Sequence, residues 1–197
     1  MARKLYQVGG PILDWIAANF LGVAAIGVLG FVVPFLKSIP GMLVSCLLIG
    51  LPIGFAQWIA LRRVAPISIL WVLTISAGLL LGLVVVNSPI PVLPWGFFDD
   101  ESVLSLTAAY TTIAFFVGLA QWLLLRGHFT KSLVWLLSSA VGLGLGTGLV
   151  LVSDLINQSG LISIILVVLV YAIATGFVIS WLRASHRKTE SNLVNVT

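Results

Sequence analysis

GFAQWIALRR, residues 54–63, recurs as GLAQWLLLRG, residues 118–127. Both copies hold the same residue types at the same offsets: Gly54, Gln57, Trp58, Leu61 and Arg62, then Gly118, Gln121, Trp122, Leu125 and Arg126. The match continues without a gap. Residues 54–87 align with 118–151, and 14 of the 34 positions are identical, among them Ser68/Ser132, Trp71/Trp135, Gly78/Gly142 and Gly82/Gly146. Shared apolar composition readily supplies leucines, but not Gln, Trp, Arg and Ser at matching offsets. Each copy covers the end of one apolar run, a basic turn and most of the next run, so the repeating unit is a helical hairpin. Fainter echoes extend it. Trp15 precedes Gly22 by seven residues, as Trp71 precedes Gly78 and Trp135 precedes Gly142. Ser180-Trp181-Leu182-Arg183 reads as a third hairpin end in which serine replaces glutamine. The expectation is three tandem hairpins whose outer parts diverge, as terminal repeats do.

Composition sets the solvent. Of 197 residues, 60% are hydrophobic and 8% charged, with mean hydropathy +1.18. A soluble domain carries about 25% charged residues. Open strands are excluded in lipid because their backbone groups would go unpaired. The fold class is therefore all-α, a polytopic membrane protein. A helix needs about 20 apolar residues to cross the hydrocarbon core. Six stretches qualify: 12–35, 41–61, 67–87, 102–125, 132–152 and 161–182. They form one transmembrane domain over residues 1–197, ending in a flexible cytoplasmic tail, 183–197. With six spans, Arg3, Lys4, Arg62, Arg63, Arg126, Lys131, Arg183, Arg187 and Lys188 share one side, leaving Lys37 opposite with Asp99, Asp100, Glu101 and Asp154. The positive-inside rule puts both termini in the cytoplasm.

Gly54, Trp58 and Arg62 recur every four residues and form one helix stripe, as do Gly118, Trp122 and Arg126. Arginine at the span end snorkels toward phosphates, and the indole one turn deeper belongs to the aromatic belt. Glycine a further turn down admits a neighbouring backbone. Gln57 and Gln121 lie just inside the hydrocarbon, where an unpaired amide is unfavourable, so each should find a partner. Helix 5 carries Gly142, Gly144, Gly146 and Gly148, GxxxG in two phases, a surface suited to a central position or to a homo-oligomeric or other membrane-protein partner. Pro52 should bend helix 2. The connector from Ser88 to Glu101 holds three prolines and reads as an interfacial loop or docking surface.

No catalytic constellation is present. His128 and His186 have no second ligand at metal spacing, and Ser138, Ser139 and Ser180 have no histidine in the membrane to activate them. No metal or cofactor is expected. The cations lie in short clusters rather than along one face, which argues against nucleic acid. Cys46, the single cysteine, reads as a packing residue. Asp14 and Asn19 stand near the start of helix 1, and Asp14 should cap it or pair with a nearby base. The residues left as weak ligand candidates are Gln57, Trp58, Gln121 and Trp122. The span centres hold no Lys, Arg, Asp or Glu, against a proton relay or ion-coupled pump. Three roles stand: a non-enzymatic packing, assembly or scaffold component; a small transporter or channel for neutral or apolar molecules; or a binder of pigment, quinone or lipid.

The repeated Gly-x-x-Gln-Trp-x-x-Leu-Arg, followed by tryptophan and spaced glycines, resembles a group of small, uncharacterised multi-pass membrane proteins found mainly in cyanobacteria. The resemblance covers the central ~100 residues. It implies a plasma or thylakoid membrane and carries no activity with it.

Overall fold

The computed structural model describes residues 2–29, 39–86, 103–157 and 160–194. Six helices follow one another: α1 (Ala2–Leu29), α2 (Ile39–Leu61), α3 (Trp71–Val86), α4 (Val103–Leu125), α5 (Leu133–Asn157) and α6 (Gly160–Val194). The connector from Ser88 to Glu101 and the expected span end at Phe35 lie outside the described residues. Stretches long and apolar enough to cross a membrane occur in four helices: Leu43–Leu61, Thr107–Leu125, Leu133–Val150 and Ile165–Ser185. The apolar stretches Ile12–Ala24 of α1 and Trp71–Val86 of α3 are shorter. The four long ones point to an integral membrane protein.

Several boundaries differ from those the sequence implied. α1 begins ten residues before the apolar run, at Ala2. α6 continues beyond its apolar part to Val194, through most of the stretch read as a tail. Residues 67–70 belong to the turn before α3, not to the helix. α2 runs unbroken through Pro52.

Helix packing forms a closed ring. Backbones approach between α1 and α2, α2 and α3, α3 and α4, α4 and α5, and α5 and α6, and α6 returns to α1. The ring has an apolar outside. On α5 the exposed Leu133, Leu137, Val141, Leu145 and Leu149 recur every four residues and so form a stripe. Ile173, Phe177 and Trp181 form the stripe of α6, Leu73 and Leu81 that of α3, and Leu13 and Leu21 that of α1. The buried polar residues include Asn19, Gln57, Gln121, Ser139 and Thr175, all inside. Apolar surface outside and amides inside is the reverse of a water-soluble bundle.

Two connections have matching hydrogen bonds. After α2, Arg62 N–H donates to Trp58 O at 2.9 Å, Ala65 to Leu61 at 3.0 Å and Trp71 to Ser68 at 3.0 Å. After α4, Arg126 N–H donates to Trp122 O at 2.8 Å, Phe129 to Leu125 at 2.9 Å and Trp135 to Ser132 at 2.9 Å. The matched Ser68/Ser132 and Trp71/Trp135 pairs thus have the same local task. Ser68 Oγ also accepts the Leu70 N–H at 3.2 Å, fixing the turn before α3.

Glycines set the closest approaches. A Cβ at Gly82 would stand 2.6 Å from Ile113 Cα, and one at Gly78 would collide with the Val117 backbone, so α3 lies on α4 without room for a methyl group. The two glycine phases of α5 face two neighbours within the chain. Gly142 and Gly146 meet Tyr171, Ala174 and Val167 of α6, while Gly144 and Gly148 meet Thr111 and Thr107 of α4. Gly78→Ala should therefore force α3 off α4 and lower stability by about 1–3 kcal/mol, the usual effect of overpacking. Gly127→Ala, whose new methyl would meet only Leu124 O at 3.9 Å, should change it by less than about 0.5 kcal/mol. Thermal unfolding of both variants in mild detergent measures the difference.

Candidate functional site

Three tryptophans, Trp15 from the middle of α1 and Trp71 and Trp135 from the starts of α3 and α5, converge inside the ring. Trp15, Trp71 and Trp135 are all fully buried. Trp135 meets Trp15 edge-on with ring centroids 5.5 Å apart and Trp71 with centroids 5.8 Å apart. Such edge-to-face contacts contribute about 0.5–1.5 kcal/mol each beyond the area they bury. α1, α3 and α5 are not neighbours in the ring, so these contacts cross its interior.

Each indole N–H needs an acceptor, and each finds one on an even helix. Trp71 Nε1 donates to Gln57 Oε1 at 3.3 Å, and Trp135 Nε1 donates to Gln121 Oε1 at 3.1 Å. Both bonds span 14 residues of chain, across the turn that joins the two helices. Trp15 lies on α1, and its Nε1 donates to Thr175 Oγ1 of α6 at 2.9 Å, which closes the ring. Thr175 in turn donates to Tyr171 O at 2.7 Å. The amides connect these bonds into a network. Gln121 Nε2 donates across the axis to Gln57 Oε1 at 3.1 Å, Gln57 Nε2 donates to Asn19 Oδ1 at 2.8 Å, and Asn19 Nδ2 donates to Trp15 O at 2.8 Å.

The four residues singled out in the sequence thus divide into two pairs. Gln57 and Gln121 meet at the axis. Trp58 and Trp122 do not join them, because neighbouring helix residues point about 100° apart. Trp58 is half-buried and donates its N–H to Ile67 O in the following turn at 3.1 Å, a protein acceptor rather than lipid or water. Arg62 stacks over Trp58 at 5.1 Å and Arg126 over Trp122 at 5.7 Å. Lys131 makes the corresponding contact with Trp181 at 5.5 Å. Asp14 does not cap α1, which begins at Ala2; it pairs with Arg63 at 2.9 Å on the exposed surface, tying the middle of α1 to the turn after α2.

Two network members were missed in the sequence. Thr175, not Ser180, takes the glutamine's place on α6, and Ser180 Oγ has no partner among the described residues. Gly176 was the available signal. A Cβ there would meet Trp15 and Ile12 of α1, as one at Gly54 would meet Val72 of α3 and one at Gly118 would meet Leu136 and Ser139 of α5. Asn19 was read with Asp14 near the start of helix 1; its position one turn after Trp15 was the clue to its place.

Beside the network the ring holds a partly open cavity of about 200 Å³, lined by residues from all six helices. Most are branched aliphatics, such as Val23, Ile53, Ile75, Ile113 and Leu143. Polar lining gathers at one end, where Asn19, Gln57 and Tyr171 meet. The Tyr171 phenol stands beside Gln57 and Ser139. No cluster of His, Cys, Asp and Glu among the described residues has metal-binding geometry. No family model matches the chain, and neither a curated protein nor a solved structure matches it.

The bonding pattern ranks the two glutamines. Gln57 serves Asn19, Trp71 and Gln121, whereas Gln121 serves Trp135 and Gln57. Leaving a buried donor unpaired destabilises by about 1–3 kcal/mol, more than the ~0.6 kcal/mol average of a membrane interhelical bond. Gln57→Leu should therefore lower the melting temperature more than Gln121→Leu. The double variant should lose less than the sum, because the two share the Gln121–Gln57 bond. Additive losses in a double-mutant cycle would show that the network does not act as a unit.

Proposed function

We propose that the chain is a six-span integral membrane protein of three tandem helical hairpins, with both termini in the cytoplasm. Its role is non-enzymatic: a packing, assembly or scaffold component of a plasma or thylakoid membrane. The observation that carries this is the polar network turned in on itself. Gln57 Oε1 accepts two bonds, and the carbonyl of Gln121 accepts the Trp135 indole. The Gln-Trp motifs therefore act as clamps between helices rather than as ligands for a bound group.

Support for six spans comes from the outside of the ring. The shorter helices α1 and α3 present the same apolar stripe as the four long ones, and a ring with lipid around four members would leave the stripes of two in water. Support for the repeat comes from the matching turns and from the 14-residue Trp–Gln bonds. The Asp14–Arg63 pair favours a common side for the N-terminus and the first basic turn. Sequence resemblance to the cyanobacterial proteins gives the choice of membranes. The bilayer is the principal partner. A second protein or a second copy of the chain docking on α5 would meet Leu137, Val141 and Leu145 rather than the glycines.

Topology tests the proposal. Reporter fusions after Met1 and after Thr197 should both report the cytoplasm, and a reporter inserted near Arg126 should report the same side. Opposite signals from the two termini would refute the six-span arrangement.

A further inference from the structure

We propose that the cavity inside the ring is a binding site for a compact, neutral, ring-sized molecule that has an apolar body and one hydrogen-bond acceptor. Three features define this class. The first is size: a cavity of about 150 Å³ lined by aliphatic side chains stays dry and takes up benzene, and this one is about 200 Å³. The second is charge: no Lys, Arg, His, Asp or Glu lines it among the described residues, so an ion entering it would lose its hydration without compensation.

The third is the polar end. Gln57 Oε1 already accepts from Trp71 and Gln121, which occupies both of its acceptor positions. Gln57 Nε2 carries two hydrogens, one of them directed to Asn19 Oδ1. The Tyr171 hydroxyl, beside Gln57, brings a further O–H. An O–H therefore remains at this end that a carbonyl or ether oxygen can accept. This site goes beyond the scaffold role and uses groups that the clamp leaves over.

Fluorine NMR of the full-length protein in detergent tests the assignment with two probes of nearly the same shape, para-fluoroacetophenone and para-fluoro-α-methylstyrene. Both should give a bound resonance distinct from that of the micelle. The ketone should bind about fivefold more tightly, the difference expected of one neutral hydrogen bond. Tyr171→Phe should remove most of that preference while retaining both bound signals. Ala114→Phe and Val168→Phe project bulk into the cavity from two different helices, and each should abolish both bound signals without lowering the melting temperature. The absence of a bound resonance in the unsubstituted protein would overturn the site. So would bound signals that persist in both filled variants, since they would come from the micelle or the outer surface. Equal affinity for the two probes would overturn the role assigned to the polar end.

Discussion

An indole N–H on the axis of a helical ring is the constraint on which the rest depends. Lipid surrounds a membrane helix with surroundings as apolar as its own leucines, so burial of leucine cannot hold such helices together. Close packing and interhelical hydrogen bonds must do so. Trp15, Trp71 and Trp135 supply both: each buries roughly 150–250 Å² and brings one donor that must be satisfied. Because the acceptors Gln57 and Gln121 lie 14 residues upstream of their tryptophans, each bond fixes the register of an even helix against the next odd one. The same bond sets the conformation of the intervening turn. Trp15 reaches Thr175 at the other end of the chain, which turns a row of helices into a ring. Small residues then allow the approach: Gly54, Gly118 and Gly176 receive the odd helices, and Gly22, Gly78 and Gly142 receive the even ones.

The helices and the two basic turns were legible because apolar runs and local turn residues mark them in the sequence. The axis was less so. Gln57 and Trp58 are adjacent in sequence and look like one motif, yet the 100° step of the helix turns them to different surroundings. One faces the axis and the other faces the turn and Arg62. The tryptophan that Gln57 meets lies in the next helix, a relation visible in the sequence only as a repeated 14-residue spacing. On α6 the Trp-Leu-Arg sequence drew attention to Ser180, because sequence similarity is greatest there. The spatial equivalent is set by where the backbone lets α1 approach, and that is Gly176, with Thr175 beside it. The glycines of α5 were misleading in another way. Their two phases suggested surplus surface, but a helix between two ring neighbours needs two smooth faces, and α4 and α6 occupy them.

The residues one turn after the axial tryptophans separate what holds the ring together from what faces the cavity. These positions are Asn19, Ile75 and Ser139. Ile75 alone of the three is apolar. Asn19 instead accepts from Gln57, and Ser139 stands fully buried beside the Tyr171 phenol. The polar ones of these three positions lie on α1 and α5, next to Gln57 of α2 and Tyr171 of α6. The indole contacts bind α1, α3 and α5 together whether or not Asn19 and Tyr171 carry polar groups. Asn19 answers the Gln57 amide, which would otherwise stay unpaired, whereas Ser139 and Tyr171 bring hydroxyls that neither the indoles nor the Trp–Gln bonds need. The asymmetry of the ring therefore falls at the polar end of its cavity, away from the contacts that close it.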